Sequence, residues 1–314
     1  MTFFHTGMLT IHRREHLLLL SLLLLGQLFL SNSALSSGLL IVYPDVKAPY
    51  KKIYQDIIKG IDQSYPGITT KIELASNSEG LRLTDSIKQY QPDVVITLGR
   101  RSLEKARLLE PAVAIVAGAI TQSSKPVLGV SMTPDSEVLL ANLFTIAPTV
   151  KRVYVVASIK RRAHLQHAET YLTKRGKHLI IEEAATLQQA ADKYLKIINH
   201  AAENDAIWLM RGANLNDPSI LMLILEAAWK KKIVVFSSNP SHVKRGALFS
   251  VFPDNYKLGG SLANIAQQYE RLHSAPNYGL VPLRHLHIII NKRTSKHLGI
   301  MPNNISGLQV HRLL

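Results

Sequence analysis

The chain has 314 residues, no cysteine and a formal net charge of +15 at pH 7. The absence of cysteine excludes a disulfide framework and a lipidated cysteine anchor, and the length allows one large domain or two lobes with separate cores. A strongly basic surface favours anionic neighbours, but Lys and Arg are spread over many segments without clustered aromatic residues, so we interpret the charge as a solvated basic face and expect no nucleic-acid partner.

The N-terminal segment has the pattern of a secretory signal peptide. Arg13 and Arg14 precede an uncharged apolar run over 17–30, and small residues follow it. This run is shorter than the roughly 20 residues that span a bilayer as a helix. We therefore expect residues 1–34 to be removed on export and the protein to be periplasmic. The exact cleavage position stays open, as does the alternative of an uncleaved membrane anchor.

The chain after this segment alternates short apolar runs with longer amphipathic stretches. Most of the runs are rich in Val, Ile and Leu, a composition typical of parallel strands that are covered on both faces. The predicted strands are 39–43, 71–74, 93–98, 114–117, 127–131, 152–157, 178–181, 206–210, 233–236, 247–251 and 285–290. The predicted helices are 50–65, 81–90, 102–109, 136–146, 162–175, 187–202, 219–230 and 256–272. Repeated strand–helix units predict an α/β fold with doubly wound parallel sheets.

Helix start signals and a break in the pattern indicate two lobes. Pro49, Thr133-Pro134-Asp135 and Asp217-Pro218 each precede or open a predicted helix, where Pro and Asp favour a helix start. The strand at 127–131 has no long helix before it and leads directly into a capped helix. The number of predicted strands also exceeds what a single sheet usually contains. We interpret this point as the crossing between two similar lobes.

Loops at the carboxyl ends of strands are the expected ligand sites in such sheets, because they lead into helix N-termini with free N–H groups. Tyr43, Asp45 and Tyr50 follow the first strand and could stack on and hydrogen-bond a solute, or serve as ordinary turn residues. Gly99 and Arg100 place a flexible turn and a cation at a helix start, which predicts carboxylate or phosphate binding, although one or both of the consecutive arginines could face water. The candidates in the first half of the chain are Tyr43, Asp45, Tyr50, Gly99, Arg100 and Gly118.

The second half carries further polar candidates after four predicted strands. Hydroxyl and amide side chains suit the orientation of a polar solute better than bond breaking. These candidates are Ser158, Arg211, Ser237, Asn239, Asp254 and Tyr256.

Enzymatic motifs are missing from the sequence. It contains no G-x-S-x-G, H-E-x-x-H or G-x-G-x-x-G pattern and no cysteine nucleophile, which disfavours the common hydrolase, metalloprotease and dinucleotide sites. His285 and His287 alternate on a predicted strand, and we interpret them as a polar strand face and not as a metal site. We predict a protein that is not an enzyme and that uses no cofactor and no metal.

Several segments together carry a family resemblance. They are QPDVVITLG at 91–99, VLGVS at 127–131, IAPTVKRV at 146–153, DNYKLGG at 254–260 and INKRTSKHLGI at 290–300. The chain resembles the substrate-binding proteins of ABC transporters with the type I periplasmic-binding fold, in particular the subgroup associated with tryptophan or tyrosine uptake operons. The resemblance covers nearly all of the chain after the N-terminal segment. It implies two Rossmann-like lobes joined by a hinge, closure around a small molecule, and delivery to a membrane permease.

The layout yields a division of the chain into two lobes. Lobe 1 is expected to comprise 35–131 and 255–282, and lobe 2 to comprise 132–254 and 283–314. The hinge crossings are expected near Ser131, near Asp254 and after Val281.

One departure from the family pattern bears on the ligand. Relatives tend to carry a Pro-x-Asp turn after the strand at 206–210, where this chain has Met210-Arg211-Gly212. A missing carboxylate removes a natural partner for an ammonium group, and Arg100 and Arg211 are expected to face one cleft. We therefore expect an anionic ligand, bound by a monomer that serves an ABC permease. The alternative is a ligand-sensing subunit for a membrane signalling protein.

Overall fold

The structure, a computed structural model, describes residues 38–75, 79–109, 113–210, 217–272, 279–302, 305 and 308–314. The predicted signal peptide lies outside the described residues. Within the described ranges, no helix combines the length and apolar character that a membrane span requires.

The described elements alternate strands and helices along most of the chain. The strands are β1 Leu39–Pro44, β2 Thr69–Leu74, β3 Val94–Leu98, β4 Ala114–Ile120, β5 Leu128–Pro134, β6 Arg152–Ala157, β7 His178–Glu183, β8 Asp205–Leu209, β9 Val234–Ser237, β10 Phe249–Pro253, β11 Leu280–Leu283, β12 Leu286–Ile290 and β13 Val310–Leu313. The helices are α1 Tyr50–Ser64, α2 Glu79–Tyr90, α3 Arg100–Ala106, α4 Ser136–Ile146, α5 Arg162–Thr173, α6 Leu187–His200, α7 Pro218–Lys231, α8 Pro240–Arg245, α9 Asn255–Leu272 and α10 Lys292–His297. Short 3₁₀ turns cover Arg107–Leu109 and Ile159–Arg161.

The strands form two sheets, each of which is the centre of one lobe. The first sheet has the order β11-β5-β4-β3-β1-β2, and the second has the order β13-β12-β10-β9-β8-β6-β7. All pairs in the first sheet are parallel. The prediction of an α/β fold with two doubly wound lobes is confirmed.

One strand pair departs from the predicted parallel pattern. β12 runs antiparallel to β10, with Phe249 opposite Ile290 and Pro253 opposite Leu286. β10 ends at the junction between the lobes, and β12 starts there directly after β11 without a helical crossover. A strand that enters a sheet from the end at which its neighbour leaves must run in the opposite direction.

Alternating side chains of the strands serve two separate cores. Val153 and Val155 of β6 pack into the core that contains α4 and α5 residues, whereas Tyr154 and Val156 pack with α6 and α7 residues on the other face. This alternation follows from the two-residue period of a strand. Because both faces are buried, the strands read as continuous apolar runs in the sequence.

Helix α9 packs against α1 of the first lobe, although some 190 residues separate them along the chain. Two glycines permit this approach. A Cβ atom on Gly60 would lie 1.9 Å from the Tyr256 carbonyl oxygen, and one on Gly259 would lie 2.0 Å from the Ile57 carbonyl oxygen. Larger residues at either position would force the two helix backbones apart.

The chain passes between the two sheets three times, and the three connections are adjacent. They follow β5 at Asp135, β10 at Asp254 and β11 at Arg284. The Asp135 N–H donates to the Leu283 carbonyl oxygen at 2.8 Å, and the Asp254 N–H donates to the His285 carbonyl oxygen at 3.1 Å. The third connection therefore lies between the other two.

Four short elements were not predicted from the sequence: β11, β13, α8 and α10. Each has four or six residues, which is too short to establish a periodic pattern. β4 also continues to Ile120, three residues beyond its predicted end.

Candidate functional site

A cavity of about 530 Å³ lies between the two lobes beside their connections. Both lobes contribute to its walls, lobe 1 through the loop after β4 and lobe 2 through the 3₁₀ turn after β6. These loops follow the carboxyl ends of parallel strands, the usual ligand position in this architecture. The lining residues are Thr121, Gln122, Ser123, Ser124, Lys125, Pro126, Val127, Ser131, Thr133, Lys160, Arg161, His164, Gly279, Leu280 and Pro282.

The lobe 1 wall is held in place by hydrogen bonds to the loop after β4. The Ser131 hydroxyl donates to the Thr121 carbonyl oxygen at 2.8 Å and accepts the Thr133 N–H at 3.0 Å. The Arg107 guanidinium donates to the Ser123 hydroxyl at 2.8 Å and to the Lys125 carbonyl oxygen at 2.9 Å. The loop backbone is thereby fixed, while the Lys125 side chain stays at the surface of the cavity.

The lobe 2 wall is built on the turn that follows β6. The Ser158 carbonyl oxygen accepts the Arg161 N–H at 2.9 Å, which closes the 3₁₀ turn. His164 follows on α5, with its ring centroid 6.2 Å from that of Trp208. Burial lowers the pKa of His164, and the nearby Arg161 lowers it further. Around neutral pH, His164 therefore presents a neutral imidazole to the cavity.

The charge of the cavity wall is positive. Lys125 lies on lobe 1, Lys160 and Arg161 lie on lobe 2, and the described lining residues include no Asp or Glu. A second cavity of about 320 Å³ shares Gln122, Ser123 and Ser124 with the first and adds Arg100, Leu103, Glu104, Arg107 and Ile120. Arg100, predicted as an anion contact, thus adjoins the interlobe cavity.

Gly99 and Gly118, both predicted as site residues, are brought together at the ends of β3 and β4. The Gly99 N–H donates to the Gly118 carbonyl oxygen at 2.9 Å. Gly99 has φ +86°, and a Cβ atom there would lie 2.8 Å from the Tyr54 hydroxyl. At Gly118 a Cβ atom would lie 2.4 Å from a Leu262 methyl group. The backbone conformation of Gly99 therefore favours glycine, whereas a larger residue at Gly118 would require the Leu262 side chain to move.

The predicted site residues at the end of β1 and in the loop after it do not line the interlobe cavity. Tyr43 is half-buried on β1 opposite Glu73, and burial followed by the Glu73 charge raises the pKa of the phenol. Asp45 is exposed, with its N–H bonded to the Leu74 carbonyl oxygen. Tyr50 is 64% exposed at the start of α1.

Ser237 and Asn239 shape the turn between β9 and α8. The buried Ser237 hydroxyl donates to the Leu209 carbonyl oxygen at 3.0 Å and lies 2.8 Å from His242 Nδ1. The Asn239 side chain accepts the Ser241 N–H at 3.1 Å as the helix cap. These polar atoms already have partners within the protein.

Asp254, Tyr256 and Arg211 complete the predicted set. One Asp254 carboxylate oxygen accepts the Lys257 N–H at 3.0 Å, and the other lies 3.5 Å from His287 Nε2. Tyr256 is half-exposed on α9 of lobe 1. Arg211 and its neighbour Gly212 lie outside the described residues.

The family model of ABC transporter substrate binding proteins matches residues 74–308. The chain belongs to this family. It is an ABC transporter substrate-binding protein with a solute-binding role, and members of its family are typically periplasmic or extracellular. No curated protein matches the chain with significant similarity.

Solved structures share the fold of this substrate-binding protein. The ligand-free, open structure of a substrate binding protein with adhesive properties from Clostridium difficile is 15% identical, with a TM-score of 0.60 over 88% of this chain and 100% of that chain. The ABC domain from Streptococcus pneumonia in complex with L-Trp is 18% identical, with a TM-score of 0.50 over 89% and 100%. A conserved domain protein from Vibrio cholerae is also 18% identical, with a TM-score of 0.50 over 88% and 100%. At these identities the likeness concerns the fold alone.

Sequence reasoning missed the residues of this substrate-binding protein that line the interlobe cavity. Thr121 to Lys125 form a polar run after an apolar strand, but the predicted end of that strand at residue 117 placed the run outside the expected site. Lys160 follows Ser158 by two residues but was not among the predicted site residues. The sequence shows both the polar run and this lysine, but whether they line one cavity depends on how the two lobes face each other.

Proposed function

We propose that this substrate-binding protein captures a small anionic solute between its lobes, as a monomer, and delivers it to an ABC permease. The observation that carries the proposal is the basic lining of the interlobe cavity, with Lys125 on one wall and Lys160 and Arg161 on the other. A volume of about 530 Å³ suits a small-molecule ligand. An anion bound between these walls would attract the cationic side chains of both lobes at the same time.

Such a ligand would favour a closed state because it interacts with both walls only when they approach. A ligand shifts a conformational equilibrium by its difference in affinity for the two states. An anion that bridges Lys125 and Lys160 contacts both side chains only in the closed state, so it would bind that state more tightly. The exposed Thr121 adds a hydroxyl that can donate to the anion.

The same lining argues against an amino acid as the ligand. The ammonium group of an amino acid needs a carboxylate or several carbonyl acceptors when it is buried, and no carboxylate is among the described lining residues. The related domain from Streptococcus pneumonia was solved with L-Trp. We propose that this chain differs and takes a carboxylate without an amine, or a phosphorylated solute.

Among the residues singled out from the sequence, we propose Arg100 and Ser158 as ligand contacts. Arg100 lines the adjoining cavity, and Ser158 directly precedes the 3₁₀ turn that carries Lys160 and Arg161. We also propose removal of residues 1–34 on export, which N-terminal sequencing of the exported protein tests. The two-lobe division given above stays part of the same proposal, with lobe 1 extended by β5 and β11 to Pro134 and Leu283.

Isothermal titration of the exported protein tests the ligand class. The panel contains dicarboxylates, phosphorylated solutes and amino acids, and we expect binding only among the first two groups. Lys125→Gln and Lys160→Gln should each weaken that binding by about tenfold, since each removes one charge-assisted contact. Lys88→Gln, at an exposed position of α2, is the matched control and should leave it unchanged.

Small-angle scattering with the same ligand tests closure. The radius of gyration should fall at saturation, because lobe rotation narrows the cleft. Selective binding of a neutral aromatic amino acid, with affinity unaffected by Lys160→Gln, would refute the anionic ligand. An unchanged scattering profile at verified saturation would refute closure.

A further inference from the structure

Lobe 2 carries a second basic surface, far from the cleft. The C-terminal ends of α7 and α8 lead into the amino ends of β9 and β10, and α10 begins where β12 ends beside the start of β10. The interlobe cavity lies at the carboxyl ends of the strands. We call this opposite surface, formed by the ends of α7 and α8 together with α10, the basal face. We propose that the basal face binds anionic phospholipid headgroups of a membrane surface.

Hydrogen bonds join the three helices of the basal face into one surface. The Asn291 amide donates to the Val243 carbonyl oxygen at 2.7 Å, and the Thr294 hydroxyl donates to the Gly246 carbonyl oxygen at 2.9 Å. The His297 ring stacks on Trp229 at 3.7 Å. The side chains at the ends of α7 and α8 and those of α10 therefore lie on one continuous surface.

The basal face has more positive charge than its acidic neighbours balance. Lys244, Arg245, Lys292, Arg293 and Lys296 are all exposed, and none has a carboxylate side chain within ion-pair distance among the described residues. Of the nearby acids, Glu226 pairs with Lys230 at 2.9 Å and Glu203 lines the same cavity as Lys232. One or two cations would satisfy the dipole at the C-terminal end of each helix, whereas Lys292 and Arg293 lie in the first turn of α10, where the dipole favours an anion. The additional charge is available to an external anion.

Apolar and aromatic side chains accompany these cations. The Arg293 guanidinium lies 5.2 Å from the centroid of the Trp229 ring. Met222 and Leu223 are 54% and 42% exposed. They lie on the same side of α7 as Trp229 and Lys230 but about two turns, roughly 10 Å, nearer its N-terminus, so they flank the basal face.

This combination favours a membrane surface over a nucleic acid. Cations beside exposed aliphatic side chains and an indole ring are typical of surfaces that lie at a lipid headgroup layer. A protein held by the basal face keeps its cleft at the opposite end of lobe 2 open to solute. The inference does not depend on the ligand class proposed above.

Vesicle co-sedimentation tests the proposal with the exported protein. The vesicles contain phosphatidylcholine alone or a mixture with phosphatidylglycerol, at low and at physiological ionic strength. We expect binding only to the anionic vesicles, and weaker binding as salt screens the charges. All variants carry the same N-terminus, so its contribution to binding cancels in comparisons.

A charge-matched pair of triple variants locates the surface. Lys244→Gln/Arg245→Gln/Lys296→Gln should lower the vesicle partition coefficient by about tenfold or more. Lys51→Gln/Lys59→Gln/Lys88→Gln removes the same charge from exposed positions of lobe 1 and should lower it by less than about threefold. Circular dichroism melting shows that both triples are folded.

Met222→Ser/Leu223→Ser tests the apolar contribution. It should weaken vesicle binding most at physiological salt, where the charges are screened. Equal losses in the two triple variants would assign the effect to net charge and overturn the proposal. Absence of binding to anionic vesicles at low salt, or oligonucleotide binding through the basal face without vesicle binding, would overturn it as well.

Discussion

Asp135 and Arg284 form an ion pair at 2.7 Å that links the first and third connections between the lobes. The other Asp135 carboxylate oxygen accepts the N–H groups of Glu137 and Val138 and so caps α4. Asp135 is 8% exposed, whereas most of the Arg284 side chain is in solvent. A single carboxylate therefore ties the hinge to the first helix of lobe 2.

The two roles of Asp135 predict unequal effects of substitution. Arg284→Gln removes only a largely exposed ion pair and should lower the free energy of unfolding by about 0.5 kcal/mol. Asp135→Ala also removes the helix cap and should cost about 1–2 kcal/mol. Urea denaturation measures both. Equal losses for the two variants would contradict the assignment of the cap to Asp135.

Adjacent glycines of α9 predict opposite responses to alanine. Gly259→Ala should lower the free energy of unfolding by about 2–3 kcal/mol, because its Cβ atom would lie 2.0 Å from a backbone oxygen of α1. Gly260→Ala should be neutral or stabilising, because its Cβ atom meets only the movable Ser64 hydroxyl at 2.9 Å and Ala is the better helix former. Thermal melting of the two variants compares them directly, and similar behaviour would argue against close packing of α1 and α9.

Tyr194 predicts a stabilising substitution. Its side chain is fully buried, and its hydroxyl has no hydrogen-bond partner among the described residues. Burial also raises the pKa of the phenol. Tyr194→Phe should raise the free energy of unfolding by about 1 kcal/mol, since an unsatisfied buried hydroxyl costs desolvation energy.

Tyr65 is the matched control for Tyr194. Its hydroxyl donates to the Glu270 carboxylate at 2.8 Å, so Tyr65→Phe should lower the free energy of unfolding by about 1 kcal/mol. Chemical denaturation of both variants checks the difference in sign. Destabilisation by Tyr194→Phe of the same size would show that its hydroxyl does have a partner.

His242 predicts loss of stability in mild acid. Burial lowers the pKa of His242 below its ordinary value of about 6.5, and Arg245 lowers it further. The unfolded chain then takes up a proton at a higher pH than the folded chain does. The contribution of His242 to stability is complete above about pH 6.5 and falls as the pH drops toward the folded-state pKa.

Urea denaturation between about pH 7.5 and pH 5.5 measures this dependence. The wild-type free energy of unfolding should decrease over this range, and His242→Gln should make the decrease smaller. Burial also lowers the pKa values of His164 and His287, so part of the slope should remain. An identical slope in the variant would exclude His242 as a contributor.

Much of the fold could be predicted because each lobe buries both faces of its sheet. β6 and α4 have the predicted bounds, since an apolar run and a capped amphipathic stretch are local features. β11 and β13 were missed because four residues carry little periodic signal. The ligand loops were partly predicted. Gly99 and Gly118 do meet, but Tyr43 and Asp45 do not line the interlobe cavity.

By itself, the sequence determined the alternation of strands and helices, the pattern of an exported protein and the resemblance to substrate-binding proteins, because all three depend on residues close together in the chain. Only the tertiary structure decided that Lys125 and Lys160 line one cavity and that α9 packs on α1. Such contacts depend on how two lobes are joined and on where backbones can approach. Neither property is contained in local periodicity or composition.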